Sequence, residues 1–154
     1  MRAPLSRQIL PSLYPNVPFL NVDEIQREAF DFGHPVAAGK EFLLRLDGLE
    51  SRRESFALET TLSSPMYAKK IRRWRNLGYR ASLHFIELPS EESAVQRVAE
   101  RVAAGGHSVL EADIRRRLHR GKTLFETLYK PIVDEWYHWV SDEQGLRLAQ
   151  HHDR

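Results

Sequence analysis

Eight residues, Ala81–Leu88, constrain this chain more than any others. Leu83, Phe85, Ile86 and Leu88 form a near-continuous apolar run, with Gly78 before it and Ser90 after it. Such a run predicts a strand covered on both faces, and strands of that kind belong to parallel sheets connected by helices. The flanking segments fit this. Phe19-Leu20-Asn21 reads as a short strand, and Asp23 as the cap of a helix reaching about Phe30. Pro35 opens a helix with Ala38, Phe42, Leu46 and Leu49 on its apolar side. Ser55–Glu59 is a second strand candidate, expected to lie beside Ala81–Leu88. Pro65 opens a helix that stops at Gly78, a C-terminal cap. Ser90, with Ser93 and Ala94, starts a helix that ends before Gly105-Gly106. Another runs from about Leu110 to Tyr129, and short strands follow near Trp139 and Leu146–Ala149. The opening segment carries Pro4, Pro11, Pro15 and Pro18, so little regular structure is expected there. The alternation predicts an α/β fold on a parallel sheet, in one domain spanning 1–154.

Composition narrows the function. Hydrophobic residues make up 42% and charged residues 29%, as in a soluble globular protein. No apolar run is long enough to span a membrane, so no membrane partner is expected. The chain has no cysteine, which excludes disulfides, thiolate metal sites and cysteine nucleophiles and fits a cytoplasmic protein. Basic residues cluster at Lys69–Arg75 and at Arg115–Arg120. Arginine pairs in bidentate fashion with phosphate or carboxylate, so these clusters suit a phosphorylated ligand or RNA; the plainer alternative is a solvated helix face. A net charge of +2 without a nucleic-acid motif makes RNA the weaker choice.

Two fragments look like the end of a phosphate-binding loop and fail its spacing. The loop needs a glycine five residues before the glycine of its Gly-Lys pair; before Gly121-Lys122-Thr123 that position is Arg116, and before Gly39-Lys40 it is His34. Both read as incidental helix sequence. Asp23 sits just after a strand, where α/β proteins bind ligands, and can accept a proton from a substrate hydroxyl; the alternative is a helix cap. Glu59 ends a strand and precedes Thr60 and Thr61, a set of hard oxygens that suits magnesium; the alternative is a threonine-rich turn. Arg97, Arg101 and His107 lie near the end of one helix and Arg115–Arg117 near the start of the next, an arrangement able to close over phosphate; the alternative, stronger on these residues alone, is a charged helix face in solvent.

In order and spacing, these pieces resemble one family. The run Phe19-Leu20-Asn21-Val22-Asp23-Glu24-Ile25 is followed by Ser55-Phe56-Ala57-Leu58-Glu59-Thr60-Thr61-Leu62-Ser63, Gly78-Tyr79-Arg80 and Phe85-Ile86-Glu87-Leu88-Pro89-Ser90. Arg97-Val98-Ala99-Glu100-Arg101-Val102, Gly105–Val109 and Ile114–Arg117 complete it. This is similar to the zeta-toxin-like P-loop kinases over roughly residues 10–135. The resemblance implies a P-loop-kinase-like sheet flanked by helices, and transfer of phosphate from ATP, with Mg²⁺, to a small molecule. In the toxin branch the acceptor is a hydroxyl of UDP-N-acetylglucosamine, and an antitoxin protein is the partner. By motif position Asp23 matches the general base and Glu59 the acidic residue near magnesium and substrate. Thr61 matches a substrate-contacting hydroxyl, and Arg101 and Arg116 the phosphate-holding arginines, with Arg97, Arg115 and Arg117 as rivals. The family's first strand and Gly-rich loop have no counterpart in these 154 residues. Three expectations follow: an active kinase with its loop further upstream, an inactive remnant that still binds a ligand or protein, or, outside the family, a basic RNA-binding module.

Overall fold

The structure is a computed structural model that describes residues 5–28, 35–103, 108–142 and 144–153. The chain is mixed α/β. It forms two compact units, Met1–Thr60 and Thr61–Arg154, each with its own small sheet. Among the described residues no helix is long and apolar enough to cross a membrane.

The first unit opens with a helix, α1 (Leu5–Leu13), where little regular structure was expected. Pro11 lies in its last turn, where a missing N–H costs a single hydrogen bond. The turn continues with Tyr14 N–H donating to the Leu10 carbonyl at 2.8 Å, and the buried Ile9 anchors the helix. Asn16, at φ 68°, reverses the chain in a region asparagine tolerates. The strands β1 (Phe19–Leu20) and β2 (Ala57–Leu58) then pair in parallel, Phe19 opposite Ala57 and Leu20 opposite Leu58. Between them come α2 (Val22–Glu28) and α3 (Pro35–Ser51). The expected apolar side of α3 is the buried one: Ala38, Phe42, Leu46 and Leu49 are all buried, as are Leu20 and Ile25. The expected end of the preceding helix near Phe30 lies outside the described residues.

In the second unit α4 (Met66–Asn76) buries Tyr67, Ala68, Ile71 and Trp74. Its end is a Schellman motif. Gly78, at φ 94°, donates to the Arg75 carbonyl and Tyr79 N–H donates to that of Trp74, both at 3.0 Å. The strand β3 (Ser82–Glu87) leads to α5 (Glu91–Ala103), capped by Ser90, whose Oγ accepts the Ser93 N–H at 3.1 Å. The Gly105-Gly106 break lies outside the described residues. The helix α6 (Glu111–Leu124) runs on into a π-helical turn, Phe125–Tyr129. The hairpin of β4 (Glu135–Asp142) and β5 (Gly145–Asp153) completes the unit.

Two expectations about the sheet are overturned. Ser55–Glu59 and Ala81–Leu88 are not neighbours, because β2 pairs with β1, and β3 pairs in parallel with β4 from Ser82–Glu135 to Glu87–Val140. Nor is β3 covered on both faces: none of its residues is buried. Ser82, His84 and Glu87 interrupt the apolar run and keep it half-exposed. The second sheet is also mixed, since β4 and β5 are antiparallel, with a bulge between His138 and Trp139.

The packing of this sheet is aromatic. Phe125, fully buried, stacks on Phe85 with centroids 4.3 Å apart and meets Trp136 and His138 edge-on. The Lys130 ammonium lies 4.7 Å from the Phe125 centroid and 4.1 Å from that of Trp136. Tyr129, also fully buried, donates its hydroxyl to the Ser64 carbonyl at 2.6 Å.

His84 makes this sheet acid-sensitive. Its ring stacks on Tyr137 at 4.6 Å, and its Nδ1 accepts the Trp139 indole N–H at 3.1 Å, which requires that nitrogen to be unprotonated. Burial pushes its pKa down to about 4, against an opposing pull from Glu135. The unfolded chain therefore takes up this proton first, and binds more protons than the folded one between pH 6.5 and about 4. Stability from this group is complete above pH 6.5 and is lost as pH falls through that window. Allowing for partial exposure, the loss is on the order of 2–3 kcal/mol. Urea midpoints between pH 7 and pH 4 should fall, and His84→Phe should flatten the fall. Parallel curves for the two proteins would refute this.

Candidate functional site

Because β1 and β2 are parallel, their carboxyl ends share one edge, and the polar residues of the first unit's site follow directly from them. Asn21 comes after β1 and Glu59 after β2. Asn21 is buried, 8% exposed, and both its amide nitrogen and its carbonyl oxygen are engaged. Nδ2 donates to Glu59 Oε2 at 2.8 Å, while Oδ1 accepts the N–H of Asp23 at 2.8 Å and of Glu24 at 3.2 Å. The cap of α2 is therefore Asn21, and Asp23 is not the cap that the sequence suggested. Both residue types cap well; the fold selects Asn21 because its carbonyl accepts the first helical bond, from Ile25 N–H at 3.0 Å.

This assignment releases Asp23 from capping. It stands in the first turn of α2, half-buried, with Glu24 beside it, where the helix N-terminus favours a carboxylate. Glu59 is exposed but held in place by Asn21. The edge thus carries a fixed carboxylate and a second one on a helix start, an arrangement able to bind and deprotonate a hydroxyl. A magnesium ion here would take oxygen from Glu59 and fill its other positions from water and ligand. Among the described residues no group of three or more His, Asp or Glu is arranged around a metal position.

Neither Gly-Lys fragment forms a phosphate cradle. Gly39-Lys40 lies inside α3 and Gly121-Lys122 inside α6, so neither pair opens a helix. Gly121 has a packing role instead: a Cβ on it would lie 3.1 Å from the Thr61 carbonyl oxygen.

The other expected site residues belong to the second unit. Thr61 is exposed, its hydroxyl 2.8 Å from that of Ser63. Arg101 lies in the last turn of α5 with its Nε buried. Arg116 is 69% exposed and pairs with Asp113 at 2.7 Å. Its rival Arg115 is bound up in structure: it pairs with Glu111 at 2.7 Å, Glu92 at 3.2 Å and Glu91. Those carboxylates, Glu111 first, raise its pKa further. Arg97 donates to Ser141 Oγ at 3.1 Å, just beyond the end of the β3–β4 ladder. On that same edge Glu87 closes β3, bonded by Lys122 and by His138 at 2.7 Å. Burial pushes the Glu87 carboxyl up, but these two partners outweigh it and hold it below its usual range. Asn21 and this Glu87 group were not among the expected site residues. The sequence offered Asn21 only as a strand end and Glu87 only as part of a motif.

Set against protein-family models, curated proteins and solved structures, the chain matches none of them.

Proposed function

We propose that the first unit is the acceptor-binding side of a zeta-toxin-like small-molecule kinase, with Asp23 as the base that takes the proton of the attacking hydroxyl. One observation carries this reading: the Asn21–Glu59 hydrogen bond at the carboxyl edge of a parallel pair, with Asp23 two residues on in the first turn of α2. Glu59 then binds a hydroxyl of the acceptor or a magnesium ion, and Thr61, Arg101 and Arg116 are assigned to acceptor and phosphates. The acceptor class is a nucleotide sugar, with UDP-N-acetylglucosamine as the probe. ATP requires a phosphate-binding loop outside these 154 residues. A cytoplasmic setting and an antitoxin-like protein partner belong to the same reading.

Calorimetry on the 154-residue chain tests it. UDP-N-acetylglucosamine should bind, and Glu59→Gln should weaken it roughly tenfold or more, the scale of one charge-assisted hydrogen bond. ATP should bind weakly, without micromolar affinity. Tight ATP binding together with no nucleotide-sugar binding would overturn the proposal.

A ligand-binding module without catalysis rests on the same edge and differs only in having no turnover. The RNA-binding alternative has less support, since Trp74 is 7% exposed and Arg115 is engaged by three carboxylates.

A further inference from the structure

The helix α3 is apolar on two sides. One side, with Ala38, Phe42, Leu46 and Leu49, is buried against its own unit, where α3 packs on α2 and β1. The other carries Val36, Leu43 and Leu44, which are 57%, 44% and 67% exposed. Together with Lys40 and Asp47, also exposed, these fall at i, i+4, i+7, i+8 and i+11, one continuous stripe down a helix. A surface helix ordinarily turns charge outward, as α4 does with Lys69, Arg72 and Arg73 and α6 with Arg116, Arg117 and Arg120. Apolar residues on both sides mark a helix that is covered on both.

The charges on the stripe identify what covers it. Lys40 and Asp47 stand two turns apart, roughly 10 Å along the axis, too far to bond each other. Neither side chain has a hydrogen bond or ion pair among the described residues. Set a second copy of α3 antiparallel against this stripe, with the two-fold axis level with the Leu43–Leu44 peptide. Lys40 of each copy then comes level with Asp47 of the other, and both lie near the midline of the stripe. Leu43 meets Leu43 and Leu44 meets Leu44 at the axis, and Val36 lies level with Ser51. The stripe is thus complementary to itself, with an apolar centre and a pair of unlike charges on either side. A parallel pairing would set lysine against lysine and aspartate against aspartate, and charge of this kind fixes the orientation of paired helices.

We propose that α3 joins two copies of the chain, helix against helix and antiparallel, with Leu43 and Leu44 at the two-fold axis. One helix face supplies far fewer than the roughly 20–30 residues a side of a standard interface, so the dimer is weak and reversible. The inference does not depend on the kinase reading.

Sedimentation of the full chain over a range of concentrations, with a cross-linking series, tests it. The mass should rise from 17.9 kDa toward twice that value as concentration increases. Lys40→Asp sets like charges opposite each other twice and should weaken association roughly tenfold, as should Asp47→Lys. The two substitutions in one chain exchange the signs of both pairs and should restore the parent affinity. A double variant as weak as the single ones would overturn the charge register. The chain has no cysteine, so an introduced thiol is unique. Leu44→Cys brings two thiols together at the axis and should form a disulfide dimer under mild oxidation. Ser51→Cys puts them roughly 20 Å apart and should not. Cross-linking at 51 and not at 44 would show a parallel pairing and overturn the antiparallel one. A monomer at all concentrations with no cross-link at 44 would overturn the interface.

Discussion

Asp23→Asn is expected to leave folding and ligand binding intact and to cut phosphoryl transfer by roughly 10²- to 10⁴-fold. The measurement needs a protein in which this chain follows a phosphate-binding loop. Asn matches Asp in size but cannot take the proton of an attacking hydroxyl, and the loss corresponds to about 3–5 kcal/mol of transition-state free energy. The structure sharpens this test. The cap of α2 is Asn21, and Asp23 donates to it from its backbone N–H, which the substitution preserves. Asp23→Ala should therefore also fold, with a similar loss of rate. Asn21→Ala should instead cost about 1 kcal/mol of stability through the lost cap, more because the buried site also loses its bond to Glu59. If Asp23→Asn turns over acceptor at the parent rate, Asp23 is not the base and the proposed mechanism fails.

The second large effect concerns stability. Phe125→Ala should destabilise the second unit by roughly 3–5 kcal/mol, the cost of emptying a fully buried phenylalanine site. The loss should fall at the upper end, because the ring stacks on Phe85, meets Trp136 and His138 edge-on and carries the Lys130 ammonium. Its neighbours come from β3, β4 and the end of the π-turn, elements that cannot all move inward to fill the space. Phe125→Leu, which keeps most of the volume, should cost much less. Urea denaturation followed by tryptophan fluorescence reads both, since Trp136 and Trp139 sit in β4. A midpoint shift for Phe125→Ala no larger than that for Phe125→Leu would show that the aromatic cluster contributes little.

The sequence was most legible where local chemistry decides the outcome. The buried side of α3 follows from the spacing of Ala38, Phe42, Leu46 and Leu49, and the end of α4 from Gly78, the residue best suited to φ 94°. Ser90 announced α5 in the same way. Pairing of distant strands was not legible. Nothing in Ser55–Glu59 records that its neighbour lies before it, at Phe19–Leu20, and not after it. The length of β4 was hidden as well: Trp136, Tyr137, His138 and Trp139 put rings on both faces, so no alternation marked a strand. Asn21 was legible only as a strand end, and the backbone path gave it the cap expected of Asp23. Arg115 shows the same limit within one side chain. Its pair with Glu111 is a helix neighbour visible in the sequence, while its bonds to Glu91 and Glu92 appear only once α5 and α6 are folded together.

The π-turn at Phe125–Tyr129 bears on how this chain should be aligned with others. A π-turn holds one residue more than the α-turn it replaces, and it closes here with Lys130 N–H on the Phe125 carbonyl at 3.0 Å. Every side chain beyond it is turned by about 100° relative to an uninterrupted helix. A chain of the same architecture with an ordinary helix at this point would be one residue shorter. Its single-residue gap, measured against this chain, would fall between Leu124 and Lys130, and an ungapped comparison would set the residues of β4 one position out of phase.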